Sequence, residues 1–180
     1  MRKTLLILML IPSLCYGLSP AYHDAVERAY NGLIYAHPSI KYTWGADKPY
    51  EGKADCSGLI TGIFRKAAIP GIRRTTALFM QQGKDGWIGR EVDFETLDST
   101  DIIWWTWLNK DGKPTDINRP HGHIGIVVLN RTTGLLEVYH ASSSQKQAVV
   151  QQIRGKMLKD ISSKKRMLHG EKINGTAGKK

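Results

Sequence analysis

The chain has 180 residues, 41% of them hydrophobic, with 26 Lys and Arg against 16 Asp and Glu. That length supports one domain with a real core, and no internal repeat or long low-complexity stretch points to a repeat architecture. The formal charge of +10 is uneven, because nine of the basic residues fall within 151–180, where the only acids are Asp160 and Glu171.

The first seventeen residues read as a secretory signal. Arg2 and Lys3 form a positive start, residues 5–14 are apolar but too short to span a bilayer, and Gly17 offers a small residue for cleavage. Cys15 raises lipidation as an alternative, but Leu14 and Pro12 before it lack the small-residue pattern that attachment wants. Export would place the protein in the periplasm or outside the cell. It would also leave Cys56 as the single cysteine of the mature chain. A lone thiol in an oxidising compartment is easier to understand as chemistry than as packing. The competing reading is a buried, inert cysteine.

After the signal, Ser19-Pro20 can cap and start a helix in which Val26, Ala29, Tyr30, Leu33 and Ile34 recur at helical spacing until Pro38. Residues 41–50 read as a punctuated loop. Next comes Ala54-Asp55-Cys56-Ser57-Gly58, followed by apolar positions at 59, 60, 63, 64 and 67. That spacing predicts a helix with Cys56 in its first turn, where free backbone N–H groups and the helix dipole favour a thiolate. Asp55 is then the natural N-cap. Ile69-Pro70-Gly71 ends this helix, and a weaker one is expected over 75–82.

Beyond Gly86 the pattern changes. Residues 101–107, with Trp104, Trp105 and Trp107, read as a strand, and 110–120 as a polar loop. Residues 121–129 and 135–140 flank Asn130-Arg131-Thr132-Thr133-Gly134 as a hairpin, and 148–153 reads as a further strand. Helices followed by a meander of strands predict an α+β fold with an antiparallel sheet packed on the N-terminal helices. Because strand side chains alternate faces, His123 and His140 share a face only if paired residue numbers sum to an odd value. A sum of 263, with His123 directly opposite His140 and the reversal near Arg131-Thr132, is the expected register.

A cysteine nucleophile needs a base to take its proton and return it to the leaving group, and a third polar group to orient the imidazole. Cys56, His123 and His140 are the candidates. Their contexts resemble the NlpC family of cell-wall cysteine peptidases, which have a papain-like fold. The matching segments are Tyr42-Thr43-Trp44-Gly45-Ala46, Asp55-Cys56-Ser57-Gly58-Leu59-Ile60, Arg74-Thr75, Asp101-Ile102, Gly122-His123-Ile124-Gly125-Ile126 and Tyr139-His140-Ala141-Ser142. They span roughly residues 25–155. Two positions depart from the family pattern, Ala46 and Thr100, where glycine is usual and a tight turn is expected.

The resemblance implies Cys56 as nucleophile, His123 as base and acid, and His140 as the orienting group. The Cys56 backbone N–H would help bind an oxyanion. Tyr42, Asp55, Ser57, Arg74 and Trp104 are the expected substrate contacts, Trp104 by stacking. The alternative for the tryptophans is a place in the core. Arg73 and Arg74 suit substrate carboxylates or an ordinary cap. His121 is the rival base. No cofactor is required, and no ligand pair at helical spacing supports a metal. Two Asn-X-Thr patterns, at Asn130 and Asn174, read as accidental.

The expectation is therefore a signal over 1–17, a peptidase domain over 18–155 and a basic tail over 156–180. The protein would be a monomeric, exported cysteine endopeptidase acting on peptidoglycan stem peptides, by resemblance at the γ-D-glutamyl to diaminopimelate bond. A related thiol amidase or acyltransferase and a non-catalytic wall-binding protein are the rival readings. The tail reads either as a contact for anionic wall or membrane surface or as a solvated, partly disordered end. Nucleic acid is not an expected partner, since the tail lacks basic residues interleaved with aromatics.

Overall fold

A computed structural model describes residues 20–106, 111, 113 and 121–167. The expected signal with Cys15, the cap at Ser19, Trp107, most of the 110–120 loop and the end of the chain with Asn174 lie outside the described residues.

Helix α1, Pro20–Ala36, buries Val26, Ala29, Tyr30 and Leu33, the stripe that its spacing predicts. Segment 41–50, expected to be a loop, instead contributes two-residue strands β1, Lys41–Tyr42, and β2, Asp47–Lys48, before a single 3-10 turn over Pro49–Glu51. Strand β3, Lys53–Ala54, follows, and Ala54 N-terminally abuts the cap of α2, Cys56–Lys66. Asp55 caps α2 by accepting the Gly58 N–H at 2.7 Å. The helix buries Leu59, Ile60, Ile63 and Phe64 and carries Arg65 and Lys66 in its last turn, where they suit the dipole. The weaker helix is α3, Ala77–Gln81, capped by the Thr76 side chain.

The strands that follow are β4, Gly89–Glu91; β5, Ile102–Trp105; β6, His123–Asn130; β7, Leu135–Ser142; and β8, Gln147–Gln152. A short helix α4, Lys156–Asp160, leads into β9, Ile161–Met167. Among the described residues the sheet has the order β2-β3-β1-β8-β7-β6-β5-β9-β4. The architecture is α+β, with one departure from an antiparallel sheet: β1 and β3 run parallel. Ile102 and Trp104 of β5, Ile124, Ile126 and Val128 of β6, and Tyr139 and Ala141 of β7 join the main core with α1 and α2. The opposite face gathers Ile103, Trp105, Val127 and Val138 with Met157 of α4 in a smaller cluster.

Reading 156–180 as a tail is corrected through Met167. Strand β9 lies inside the sheet, pairing with β5 from Ile102↔Lys165 and with β4 from Gly89↔Met167. Its basic residues are engaged within the fold. Arg166 grips the buried Asp101 with Nε–H and Nη2–H donated to separate oxygens at 2.9 and 2.8 Å. Lys165 donates to the Gln81 carbonyl and lies 3.6 Å from Glu91. The Lys164 ammonium sits 4.8 Å from the centre of the Phe94 ring. Charge counting along the chain could not reveal partners that lie 65 or more positions away.

Candidate active site

Cys56 occupies the first position of α2 and is 7% exposed. It lines a cleft of about 480 Å³ together with Trp44, Gly45, Asp55, Ser57, Arg74, residues 76–79 and Gly122. Behind the thiol, the β6–β7 ladder runs from Asn130↔Leu135 to Ile126↔Tyr139, although β6 begins three residues earlier at His123. Val127 exchanges its backbone bonds with Asp101 and Thr100 on the β5 side. By alternation, Ile124 directs its N–H towards β7. That N–H lies on the Cys56 side and is one of the backbone groups that lower the thiol's pKa.

The two imidazoles meet beside this point. Nε2 of His123 and Nδ1 of His140 lie 2.9 Å apart, and both rings are buried. The paired numbers of β6 and β7 sum to 265, as in Val127↔Val138, not to 263. The parity expectation holds, but the partners are diagonal neighbours, and Gly125 is the residue opposite His140. The shift arises in the turn. Gly134, at φ +70°, donates to the Asn130 carbonyl, while Asn130 Oδ1 accepts the N–H groups of Thr132 and Thr133, which moves the reversal one residue along. Trp105 packs against both rings in T-shaped contacts, with centroids 4.4 Å from His123 and 5.2 Å from His140. Nε2 of His123 is engaged by His140.

The electrostatics differ from the sequence expectation. Burial, then the Asp55 charge, push the Cys56 thiol up to about 12, against backbone N–H groups of Ser57, Ile124 and Cys56 that lower it. Burial outweighs the helix dipole, and the thiol is neutral at pH 7. Burial and the neighbouring His140 bring His123 down to about 3, and burial lowers His140 as well. A neutral imidazole at neutral pH is the state that a general base needs.

Asp55 does more than cap α2. Its Oδ1 accepts the Gly58 N–H and the Ser57 hydroxyl, while Oδ2 accepts the Gly45 N–H at 2.8 Å and an Arg74 N–H at 2.5 Å. Both oxygens are therefore taken up in fastening helix, loop and Arg74 together, so Asp55 is a tether in the cleft wall. Arg74 lines the cleft with Asp55 and, at 3.9 Å, Asp47 as its acidic neighbours. Ser57 also lines it, its hydroxyl directed at Asp55. Burial, followed by the neighbouring Cys56 and Asp55, pushes the Tyr42 hydroxyl up to about 12, which keeps it protonated and able to donate at neutral pH.

Trp104 is a correction. It is fully buried, and its Nε1–H donates 2.8 Å to the Ala77 carbonyl, so it supports the α3 wall of the cleft from behind and has no face for a substrate. The aromatic side chains exposed at the cleft are Trp44, at 73%, and Phe79, at 40%. His121 lies outside β6 with φ +57°, and its Nδ1 is 2.6 Å from the Ser162 hydroxyl, so strand alternation does not carry it to the position of His123. Of the two departures from the family pattern, Ala46 is unstrained because Gly45 supplies the turn at φ +78°, whereas Thr100 sits at φ +74°. Among the described residues no group of three His, Cys, Asp or Glu gathers as a metal site.

Sequence reasoning missed two residues of this region. Trp105 follows from alternation, which puts it on the face opposite Trp104. Gln151 requires the β7–β8 register: its Oε1 lies 3.2 Å from Nε2 of His140.

No family model and no curated protein sequence matches the chain. Solved structures do. NlpC2 from Trichomonas vaginalis superposes with a TM-score of 0.56 at 22% identity, covering 84% of this chain and 47% of that one. A lipoprotein-like NLP/P60 family protein from Staphylococcus aureus gives 0.55 at 19%, covering 82% and 42%. The P60 domain of an antigen from M. avium paratuberculosis gives 0.53 at 13%, covering 82% and 96%. The chain thus spans about half the length of the first two and nearly all of the isolated domain. With a helix-borne cysteine set against a two-histidine ribbon and a curled mixed sheet behind them, the chain has the NlpC/P60 fold.

Proposed function

We propose that this protein is an exported cysteine endopeptidase of the cell wall, cleaving peptidoglycan stem peptides at the γ-D-glutamyl to diaminopimelate bond. The observation that carries the reading is Cys56 at the start of α2, lining one cleft with Gly122, whose chain neighbour His123 has Nε2 held 2.9 Å from Nδ1 of His140.

The chemistry starts from neutral partners. Nδ1 of His123 takes the thiol proton as Sγ attacks the amide carbonyl, forming the S–C bond. The developing oxyanion draws on N–H groups at the start of α2, with the Tyr42 hydroxyl as a further donor. Collapse breaks the C–N bond, and His123 passes its proton to the leaving amine. Water, deprotonated by the same nitrogen, then hydrolyses the thioester and returns the thiol. His140 holds the ring of His123 in place and stabilises the imidazolium that forms. Trp44 and Phe79 at the cleft are the apolar surfaces available to the substrate.

Mass spectrometry of products from defined stem peptides tests the reading. Cleavage that exposes a new diaminopimelate amino end is expected from the wild type and lost in Cys56→Ala and His123→Ala. Release at a different amide would point to the amidase or acyltransferase reading. Equal turnover in all three proteins would remove the triad.

A further inference from the structure

Side chains from four adjacent strands form a continuous row across the face that carries the imidazoles. Trp105 of β5 stands directly opposite His123 of β6. His140 of β7 is the diagonal neighbour of His123, since the residue opposite His140 is Gly125. On β8 the residue opposite His140 is Val149, and Gln151, two positions on, is again the diagonal neighbour. Long side chains reach across such diagonals. The row closes at 2.9 Å between the imidazoles and at 3.2 Å between Nε2 of His140 and Oε1 of Gln151.

We propose that Gln151 is a positioning residue that selects the tautomers of both histidines, and thereby makes His123 Nδ1 a base. The argument rests on the peptidase reading of Cys56 and His123 and follows from proton counting. A neutral imidazole has one N–H and one bare nitrogen. An amide oxygen facing Nε2 of His140 requires that nitrogen to donate, so Nδ1 of His140 is bare. Nε2 of His123 must then donate to it, and Nδ1 of His123 carries no hydrogen. The opposite amide orientation would reverse every member of the row and leave a hydrogen on Nδ1 of His123, where it could accept nothing from a thiol. Burial holds both rings in the neutral state in which this selection operates.

The test is nitrogen-15 NMR of the imidazoles in the full chain, read beside turnover. In the wild type, His123 and His140 are each expected to carry hydrogen on Nε2 and none on Nδ1. Gln151→Leu removes the acceptor. The His140 signal should then shift to a mixture of tautomers, with kcat falling roughly 10–100-fold and KM little changed. Gln151→Glu keeps an acceptor and should restore the Nε2–H signature and most of kcat. A hydrogen on Nδ1 of His123 in the wild type would overturn the proposal, as would unchanged tautomers in Gln151→Leu. If Gln151→Leu does not fold, failure of Gln151→Glu to keep the wild-type signature is equally decisive. The NMR arm needs no substrate, so correct tautomers without turnover count against the peptidase reading alone.

Discussion

Gly125 lies against His140 where the β6–β7 ladder ends, and its missing side chain leaves room for Val138 and for Cβ of His140. A Cβ built at 125 would lie 2.4 Å from Cγ2 of Val138 and 3.2 Å from Cβ of His140. Gly125→Ala is therefore expected to push β7 away and to lengthen the 2.9 Å contact between the histidines. Overpacking of this kind costs about 1–3 kcal/mol, readable by urea denaturation, with a larger loss in turnover. Combining it with Val138→Ala removes the nearest clash and should recover part of the stability. No recovery would place the strain elsewhere.

Thiol reactivity should follow the neutral ground state. Free cysteine titrates near ~8.5, and burial with Asp55 puts Cys56 well above that. Alkylation by iodoacetamide across pH 6–10 should rise without reaching a plateau. Asp55→Asn removes a negative charge beside the sulfur, so it should shift the profile to lower pH while weakening the Arg74 tether. A plateau below pH 8 in the wild type would mean that the thiolate forms before substrate arrives.

The histidine pair predicts the acid limb of stability. Both imidazoles have pKa values below that of a free histidine, so the unfolded chain binds more protons than the folded one as pH falls. Stability is then fully present above about pH 6.5. It is lost progressively as pH falls towards about 3, where His123 titrates in the folded state. Each group contributes a slope of up to about 1.4 kcal/mol per pH unit. Urea midpoints between pH 4 and 7 should show a shallower slope in His123→Gln than in the wild type. Equal slopes would show that His123 is not buried neutral.

Thr100 carries a β-branched side chain at φ +74°, just before β5. Left-handed backbone costs an L-residue roughly 1–2 kcal/mol, and glycine gives back part of that through its freer unfolded chain. Thr100→Gly keeps the N–H that donates 2.9 Å to the Val127 carbonyl. We expect it to raise the melting temperature, by about 0.5–1 kcal/mol of stability once both effects are counted. A lower melting temperature would mean that burial of the threonine methyl outweighs the strain.

The features legible along the chain are those set by neighbours a few positions apart. The cap at Asp55 acts on Gly58 three residues later, the α1 and α2 stripes follow helical spacing, and a period of two reduces the relation of His123 and His140 to the parity of the hairpin register. Those interactions close short loops and need no knowledge of the rest of the fold. What lay beyond them depended on segments far apart in sequence. The insertion of β9 beside β5 joins Ile102 to Lys165 and turns an apparent basic tail into sheet. Gln151 joins the row only through the β7–β8 register, and Trp104 went to the core because α3 closes over it. The thiol's protonation likewise depends on how deeply several elements bury it. Packing and desolvation are sums over the assembled neighbourhood, and no local pattern carries that sum.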